Sequence, residues 1–429
     1  MQLDGIKTSK TDLRKLAQIF LRRSATLRLI RDGIVKVAEL SLYGISFCMP
    51  RTRMKWVFGS YCGAFVDNSK YLFLHVVQRH PEVKATWVCW KKEQLDYFSE
   101  RNLPAVYKRS WTGLYECLTA HMHIYSFYPT DVNFAASGGA ILCNLWHGIG
   151  LKKIEFNDTQ SPESHLRVAT LANYVRAPWQ FRRPDIVLST SRFVTDYFFT
   201  SSFRVGKEAC LEFGYPRCDV LLWSAEERQV YFERYATEAE RHTHRRITQA
   251  ERAYIYLPTF RDDGIGVLAA AGFDLPRLNQ LLQRTNAVFV IKLHMNEPKP
   301  FGDDPALDRI IFLSSTTDVY PLLPATTALI TDYSSIYYDY IMMSDKRVIL
   351  FPFDLNGYVE KCRGLHFPYA EAMKGEVVNS FEEMLRALAE PRRSSGLEMA
   401  YRSLYWGDYS GQASEKVASH LVGREHEIV

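Results

Sequence analysis

Short, nearly unbroken apolar runs, each halted by a turn, constrain this chain more than any other feature. They fall at Met54–Gly59, Lys84–Trp90, His121–Phe127, Ala140–Trp146 and Asp185–Thr190, then at Ala253–Leu257, Ala287–Leu293, Thr327–Thr331 and Arg347–Phe351. Runs of this length, bounded by turn residues, read as core strands. Helical patterns lie between some of them, as at Asn68–His80, Leu275–Arg284 and Ser335–Met343. The βαβα rhythm predicts an α/β fold with parallel sheets covered by helices on both faces. One polar, charge-dense stretch, Ser224–Arg252, interrupts the rhythm and is expected to be a helical connection. The economical architecture is two Rossmann-like domains facing a central cleft. Expected boundaries are a basic N-terminal segment at 1–50, a first domain at 51–245, a second at 246–405 and a helical tail at 406–429.

Length and charge sharpen this picture. A chain of 429 residues, 47% hydrophobic and 24% charged, has ample material for two cores. Its net charge of +5 is local, because residues 1–55 hold twelve Lys/Arg against four Asp/Glu and the remainder is net −3. Within the basic segment, Leu13, Leu16, Ala17, Phe20, Leu27 and Ile30 keep helical spacing, flanked by six Lys/Arg residues. A basic amphipathic helix reads either as a contact for an anionic membrane surface or as a helix packed on its own domain. A second candidate membrane contact is His165–Arg183, where Trp179, Phe181 and several arginines intermix. No nucleic-acid motif accompanies the charge, so no nucleic-acid partner is expected. Eight cysteines are scattered singly with no C-x-x-C pair, which reads as reduced thiols without a disulfide framework or zinc site. No signal peptide and no run of about 18 apolar residues is evident, so any membrane contact is expected to be peripheral. His426, between Glu425 and Glu427, reads as a frayed, solvated end.

Chemistry concentrates where the apolar runs stop. Ligands of open α/β sheets sit at the carboxyl ends of strands. There the chain places Trp146-His-Gly-Ile-Gly-Leu-Lys152, with His147 as a titratable group between permissive glycines Gly148 and Gly150. Pro258-Thr-Phe-Arg261 offers an arginine fork for phosphate, and Lys292-Leu-His294 an ammonium and an imidazole. Asp332-Tyr-Ser-Ser335 leads into a helix carrying Asp339, offering hydroxyls and N–H groups to an anion. Phe351–Tyr358, followed by Arg363-Gly-Leu-His-Phe367, is an aromatic loop able to wall a base or a polyol. Each also has a plain structural reading: a solvated turn histidine, an arginine paired with Asp262 or Asp263, a serine that only caps a helix. There is no Asp-x-Asp, P-loop or complete G-x-G-x-x-G, which argues against a metal-clamping carboxylate pair, ATP hydrolysis and NAD chemistry.

In this order the motifs, with Phe353-Asp-Leu355 and Arg363-Gly364, resemble the CDP-glycerol glycerophosphotransferase family of teichoic-acid and capsule polyol-phosphate polymerases, over roughly residues 55–375. The resemblance implies a GT-B-like fold and transfer of a polyol phosphate from a CDP-polyol to a hydroxyl of a lipid-linked or membrane-anchored glycan acceptor, with release of CMP. It implies His147 as general base, with Arg261 and His294 at the donor pyrophosphate. Lys292, Asp332, Ser334, Ser335, Asp339 and Arg363 fall on the donor side, and Gly148, Gly150 and Lys152 on the acceptor side. No cofactor or metal is implied, and the expected location is cytoplasmic, on the inner face of the bacterial plasma membrane. The chain departs from the usual His-Gly-Thr-Pro-Leu-Lys at Ile149 and Gly150, which points to a changed acceptor side. His366-Phe-Pro likewise replaces a Tyr-Phe-Asp pattern, which leaves the polyol open. Two other readings stand beside this one: a GT-B glycosyltransferase using a nucleotide sugar, and a peripheral scaffold without chemistry.

Overall fold

Strands buried on both faces need side chains of both parities to be apolar, and those of this protein are. In the computed structural model, which describes residues 25–161, 163–261, 266–293, 304–355, 357–358, 364–390, 396 and 399–427, two sheets form. The first contains β1 (Thr52–Phe58), β2 (Lys84–Cys89), β3 (Ala105–Tyr107), β4 (Ala120–Tyr125), β5 (Ile141–Asn144), β6 (Ile186–Ser189) and β7 (Cys210–Glu212). The second contains β8 (Arg252–Tyr256), β9 (Ala287–Lys292), β10 (Ile310–Leu313), β11 (Ala328–Thr331), β12 (Arg347–Leu350) and β13 (Glu376–Val377). The orders are β3-β2-β1-β4-β5-β6-β7 and β10-β9-β8-β11-β12-β13, and the described ladders are parallel. Both sheets repeat the doubly wound 3-2-1-4-5 pattern, in which the order reverses beside the first strand.

Alternate residues serve different layers. In β9, Val288 and Val290 join one apolar cluster while Phe289 and Ile291 join another; in β8, Ala253 and Ile255 part from Tyr254 and Tyr256 in the same way. The helices show equally local causes. Leu275–Arg284 starts at Asp274, whose carboxylate accepts the Arg277 N–H, and buries Leu275, Leu278, Leu281 and Leu282 on one face. The connection expected at 224–252 is two helices, Ala225–Arg234 and Glu238–Gln249, each begun by a capping box, Ser224 with Glu227 and Thr237 with Glu240.

Three expectations need revision. Of the basic amphipathic helix, residues 11–24 lie outside the described residues; the described helix runs Ala25–Ser46, well past Ile30. Its end is pinned by Arg51, which donates to the carbonyls of Cys117, Ala120, Ser46, Ala136 and Gly138. The tail is ordered too: helix Ala413–Glu427 keeps His426 exposed, yet Glu425 is buried and accepts the Trp56 indole N–H at 3.1 Å and His121 Nδ1 at 2.7 Å. This helix returns to the first sheet after the second is complete. Third, four short strands, β3, β7, β10 and β13, were not anticipated. Cysteines 48, 62, 89, 117, 143, 210 and 218 are free.

One apolar cluster is continuous across both halves, joining Trp56 and Phe73 to Val290 and Tyr333. Two ion pairs are buried in the same seam. Lys70 donates to Asp318 (2.8 Å) and to the Tyr231 hydroxyl (2.7 Å), while the Tyr71 hydroxyl also donates to Asp318 (2.7 Å). Arg217 reaches Asp339 through Nε (3.1 Å) and Nη2 (2.6 Å), and Asp67 through Nη1 (2.7 Å). Burial alone would push the Lys70 ammonium down, but Asp318, Tyr231 and Glu240 more than offset it and hold it well above its ordinary value. Removing one member of such a pair leaves an uncompensated buried charge. Lys70→Met should therefore lower the unfolding free energy by about 3–5 kcal/mol. Lys70→Met/Asp318→Leu should lose distinctly less than the two single changes summed, read by guanidinium unfolding.

Candidate active site

Loops leaving the strands beside an order reversal diverge and open a crevice at their carboxyl ends. The reversals lie between β1 and β4 and between β8 and β11. The motif residues leave from these strands or from their neighbours. Ser126 and Phe127 follow β4, His147 follows β5, Pro258–Arg261 follow β8, Lys292 ends β9, and Asp332–Ser335 follow β11.

The His147 turn is held from beneath. Asn144 Oδ1 accepts the Trp146 N–H at 2.8 Å, closing a turn in which Trp146 takes φ 52°. Asn68 Nδ2 donates to the carbonyls of Leu145 (3.2 Å) and Trp146 (2.9 Å), and its Oδ1 accepts the Arg217 N–H (3.2 Å). The imidazole of His147 stacks on Phe127 with centroids 3.8 Å apart and planes at 8°, and lies 4.0 Å from the Trp146 ring. Its Nδ1 stands 3.2 Å from the Ser126 carbonyl. A carbonyl only accepts, so Nδ1 carries the proton and the neutral ring keeps its lone pair on Nε2. Asp131 accepts the Phe127 N–H at 2.9 Å, and burial pushes its carboxyl up to about 7 although backbone N–H groups pull it down.

The loop then crosses to the second half. Gly148 has φ +149°, and a Cβ placed on it would lie 2.7 Å from Ser335 Oγ and 3.0 Å from Ser335 Cβ. Only a residue without a side chain allows this approach. Farther on, Lys152 bridges Leu365 in antiparallel fashion, the Lys153 N–H donates to Gly364 and the His366 N–H to Leu151. Lys152 Nζ lies 5.1 Å from the Tyr358 ring centroid. Gly148 and Lys152, expected to face an acceptor, thus join the two halves. Ile149, in place of the usual threonine, is fully buried in the core, so that position packs and offers nothing to a ligand. A Cβ on Gly150 would meet the Lys152 carbonyl at 3.1 Å.

In the second half Arg261 is a clamp. It donates to Asp354 through Nε (2.7 Å) and Nη2 (2.9 Å), to Asp332 through Nη2 (2.8 Å) and to the Thr259 carbonyl (2.6 Å). The rings of Tyr333, Phe353 and Tyr358 surround it. Burial opposes its charge, but Asp354 and Asp332 outweigh burial and raise it above its ordinary value. Asp332 also accepts the N–H groups of Thr259 (2.9 Å) and Tyr333 (2.5 Å), which shapes the turn ahead of the serines. Ser334 Oγ reaches the Ile336 N–H only at 3.5 Å, and Ser335 makes no side-chain cap to the short helix Ile336–Tyr340. Lys292 has no hydrogen bond or ion pair among the described residues; burial pushes its ammonium down, partly countered by Asp318, Asp67 and Glu240. Asp339, expected beside the donor, is fully buried, and its carboxylate takes Arg217 and the Tyr320 hydroxyl (2.5 Å). It locks the halves together. His294 and Arg363 lie outside the described residues.

The structure therefore brings His147, Gly148, Ser335 and Arg217 to one point and places the Arg261–Asp332–Asp354 clamp in the adjoining loops of the second half. Arg217, Asn68 and Asp67 escaped the sequence reading. Arg217 follows Gly214-Tyr-Pro216 at the end of β7, a punctuation that could have flagged it. Gly148→Ala should lower stability by about 1–3 kcal/mol through overpacking. Adding Ser335→Gly should return part of that loss; equal thermal unfolding midpoints for the single and double variants would refute the contact.

Comparisons with known proteins agree on one group. The family described as CDP-Glycerol:Poly(glycerophosphate) glycerophosphotransferase matches residues 41–423. The chain is 24% identical over 372 residues to the teichoic acid poly(glycerol phosphate) polymerase of Bacillus subtilis (strain 168), covering 84% of this chain and 47% of that protein. It is 24% identical over 404 residues to the teichoic acid glycerol-phosphate transferase of Staphylococcus aureus (strain NCTC 8325 / PS 47), covering 92% of this chain and 100% of that protein. It thus spans about half of the first relative and all of the second. A solved structure of the wall teichoic acid polymerase TagF shares the fold with a TM-score of 0.71 at 22% identity, over 94% of this chain and 97% of that one.

Proposed function

Because the chain belongs to the CDP-Glycerol:Poly(glycerophosphate) glycerophosphotransferase family, we propose that it transfers a polyol phosphate, glycerol phosphate first, from a CDP-polyol to a hydroxyl of a membrane-anchored surface polymer. The two Rossmann-like halves then serve as the acceptor and donor sides of a GT-B arrangement. The acceptor oxygen attacks the phosphorus that bears the polyol, a new P–O bond forms, the bond to the bridging oxygen breaks, and CMP leaves. His147 takes the hydroxyl proton at Nε2. The observation that carries this reading is its geometry: the Ser126 carbonyl fixes the basic tautomer, and Phe127 holds the ring where the first half meets Ser335.

Phosphoryl transfer asks mainly for positioning and charge neutralisation. Lys292, at the end of β9 and without an ion pair among the described residues, is the cation we assign to the donor phosphates, with His294 beyond it in sequence. Arg261 shapes the Asp332–Ser335 turn, and reaches a phosphate directly only by exchanging Asp354 for it. Ser334 and Ser335 offer hydroxyls to the same donor.

A membrane-anchored acceptor calls for a peripheral surface. Among the described residues no helix is long and apolar enough to cross a membrane. Helix Ala25–Ser46 instead exposes Leu29, Ile30, Ile34, Val35 and Val37, and touches helix Leu171–Arg176, which exposes Leu171, Tyr174 and Val175. Lys36 lies over Trp179, 4.9 Å from the ring centroid. The described part of the first segment, from Ala25 onward, thus adjoins the second, and we read this face as the one that meets an anionic membrane.

Incubation with CDP-glycerol and a membrane acceptor should release CMP, and cytidine nucleotides should protect against heat better than uridine nucleotides. A preference for uridine would turn the assignment toward sugar transfer. His147→Ala should cut turnover by about 10²–10⁴-fold with folding unchanged; near-normal release would remove it as the base. Leu29→Asp/Ile34→Asp should weaken sedimentation with anionic vesicles, and salt should weaken it for the unmodified protein. Unaltered partition would end the membrane proposal.

A further inference from the structure

Away from the cleft, helix Asp67–Arg79 runs beside helix Ala413–Glu427. At the far end of the first helix, His75, His80 and Glu415 bring one possible ligand atom each within 4.8 Å of one another. His75 Nε2 stands 3.2 Å from Glu415 Oε2 but makes no hydrogen bond. His80 Nε2 is also buried without a hydrogen-bond partner. Two imidazoles, each with an Nε2 that makes no hydrogen bond, thus lie beside one carboxylate.

The atoms behind these three are arranged with equal purpose. His80 Nδ1 lies 2.9 Å from Glu82 Oε1, so it carries the proton and leaves the lone pair on Nε2. Glu415 Oε1 accepts the Ser419 hydroxyl at 2.7 Å, which turns Oε2 toward His75. A histidine donating its outer N–H to a carboxylate is the usual support of a metal-binding imidazole. The separation of His75 from Glu415 suits tetrahedral coordination, where bonds of about 2.0–2.2 Å set neighbouring ligands about 3.3–3.5 Å apart. Two imidazoles with one carboxylate favour zinc-like ions over calcium or magnesium, which prefer oxygen.

We propose that His75 Nε2, His80 Nε2 and Glu415 Oε2 form a site for one zinc-class divalent ion, with water completing the coordination through the exposed side of Glu415. The ion would fasten the helix that returns after the second sheet to a helix of the first half. That helix carries Asn68 in its first turn, about 10 Å along the axis from His75 at 1.5 Å per residue, so the brace steadies the support of the His147 turn. The site does not depend on the transferase reading.

Protein stripped with a chelator should take up one equivalent of Zn²⁺ by calorimetry. With Co²⁺ it should show the intense visible absorption of a four-coordinate site, and Zn²⁺ should raise its melting midpoint. Glu415→Gln, at a half-exposed position, should leave the metal-free midpoint unchanged and abolish both the Co²⁺ band and the Zn²⁺-dependent rise. Glu82→Gln, which spares all three ligands, should weaken affinity by about 10–100-fold. Equal Zn²⁺ affinity in the unmodified protein and Glu415→Gln, or no stoichiometric uptake, would overturn the site.

Discussion

Two buried cations that their own half cannot fully satisfy hold this structure together. Lys70 and Arg217 rise from the first half and meet Asp318 and Asp339 of the second. Each pair is desolvated, and separating it in place would leave ions whose burial costs several kcal/mol apiece. The halves are therefore one unit at the floor of the cleft. The Gly148–Ser335 approach sits directly above this floor, so its spacing is inherited from the ion pairs beneath. Arg217 makes the link explicit, since its side chain grips Asp339 and its own N–H bonds to Asn68.

Helix Asp67–Arg79 is the member on which these demands converge. Asp67 and Asn68 at its start hold Arg217 and the His147 turn, and Lys70 and Tyr71 one turn on engage Asp318. His75, near its end, faces the returning helix. Substitutions along it that leave the cleft untouched would still be felt at the imidazole, because the turn below His147 has few other supports.

The sequence was most legible where strands are buried on both faces. All nine apolar runs became strands, shifted by a residue or two. The four that went unnoticed, β3, β7, β10 and β13, are the four sheet edges. An edge strand packs on fewer neighbours and can be as short as Glu376–Val377, so it leaves no apolar run to read. The partners of the motif residues were less legible than their places in the chain. Asp339 and Arg261 looked like ligand contacts because charged residues at strand ends usually are; in the fold Asp339 takes Arg217 and Tyr320, and Arg261 takes Asp332 and Asp354, partners that other segments supply. Arg217 and Glu425 were missed for the mirror-image reason, since each lies in an ordinary local pattern and acquires its meaning from a residue more than a hundred positions away.

The returning helix also dictates an order of assembly. Val417, Ala418 and Leu421 are fully buried, and Glu425 binds Trp56 of β1 across 369 positions. The first half, though synthesised early, therefore lacks part of its core until residues 413–427 have left the ribosome. Such distant contacts slow folding and keep apolar surface exposed meanwhile. During that interval the nascent chain carries an open flank beside β1 and helix Asp67–Arg79, and the second half must fold as a guest within an unfinished host.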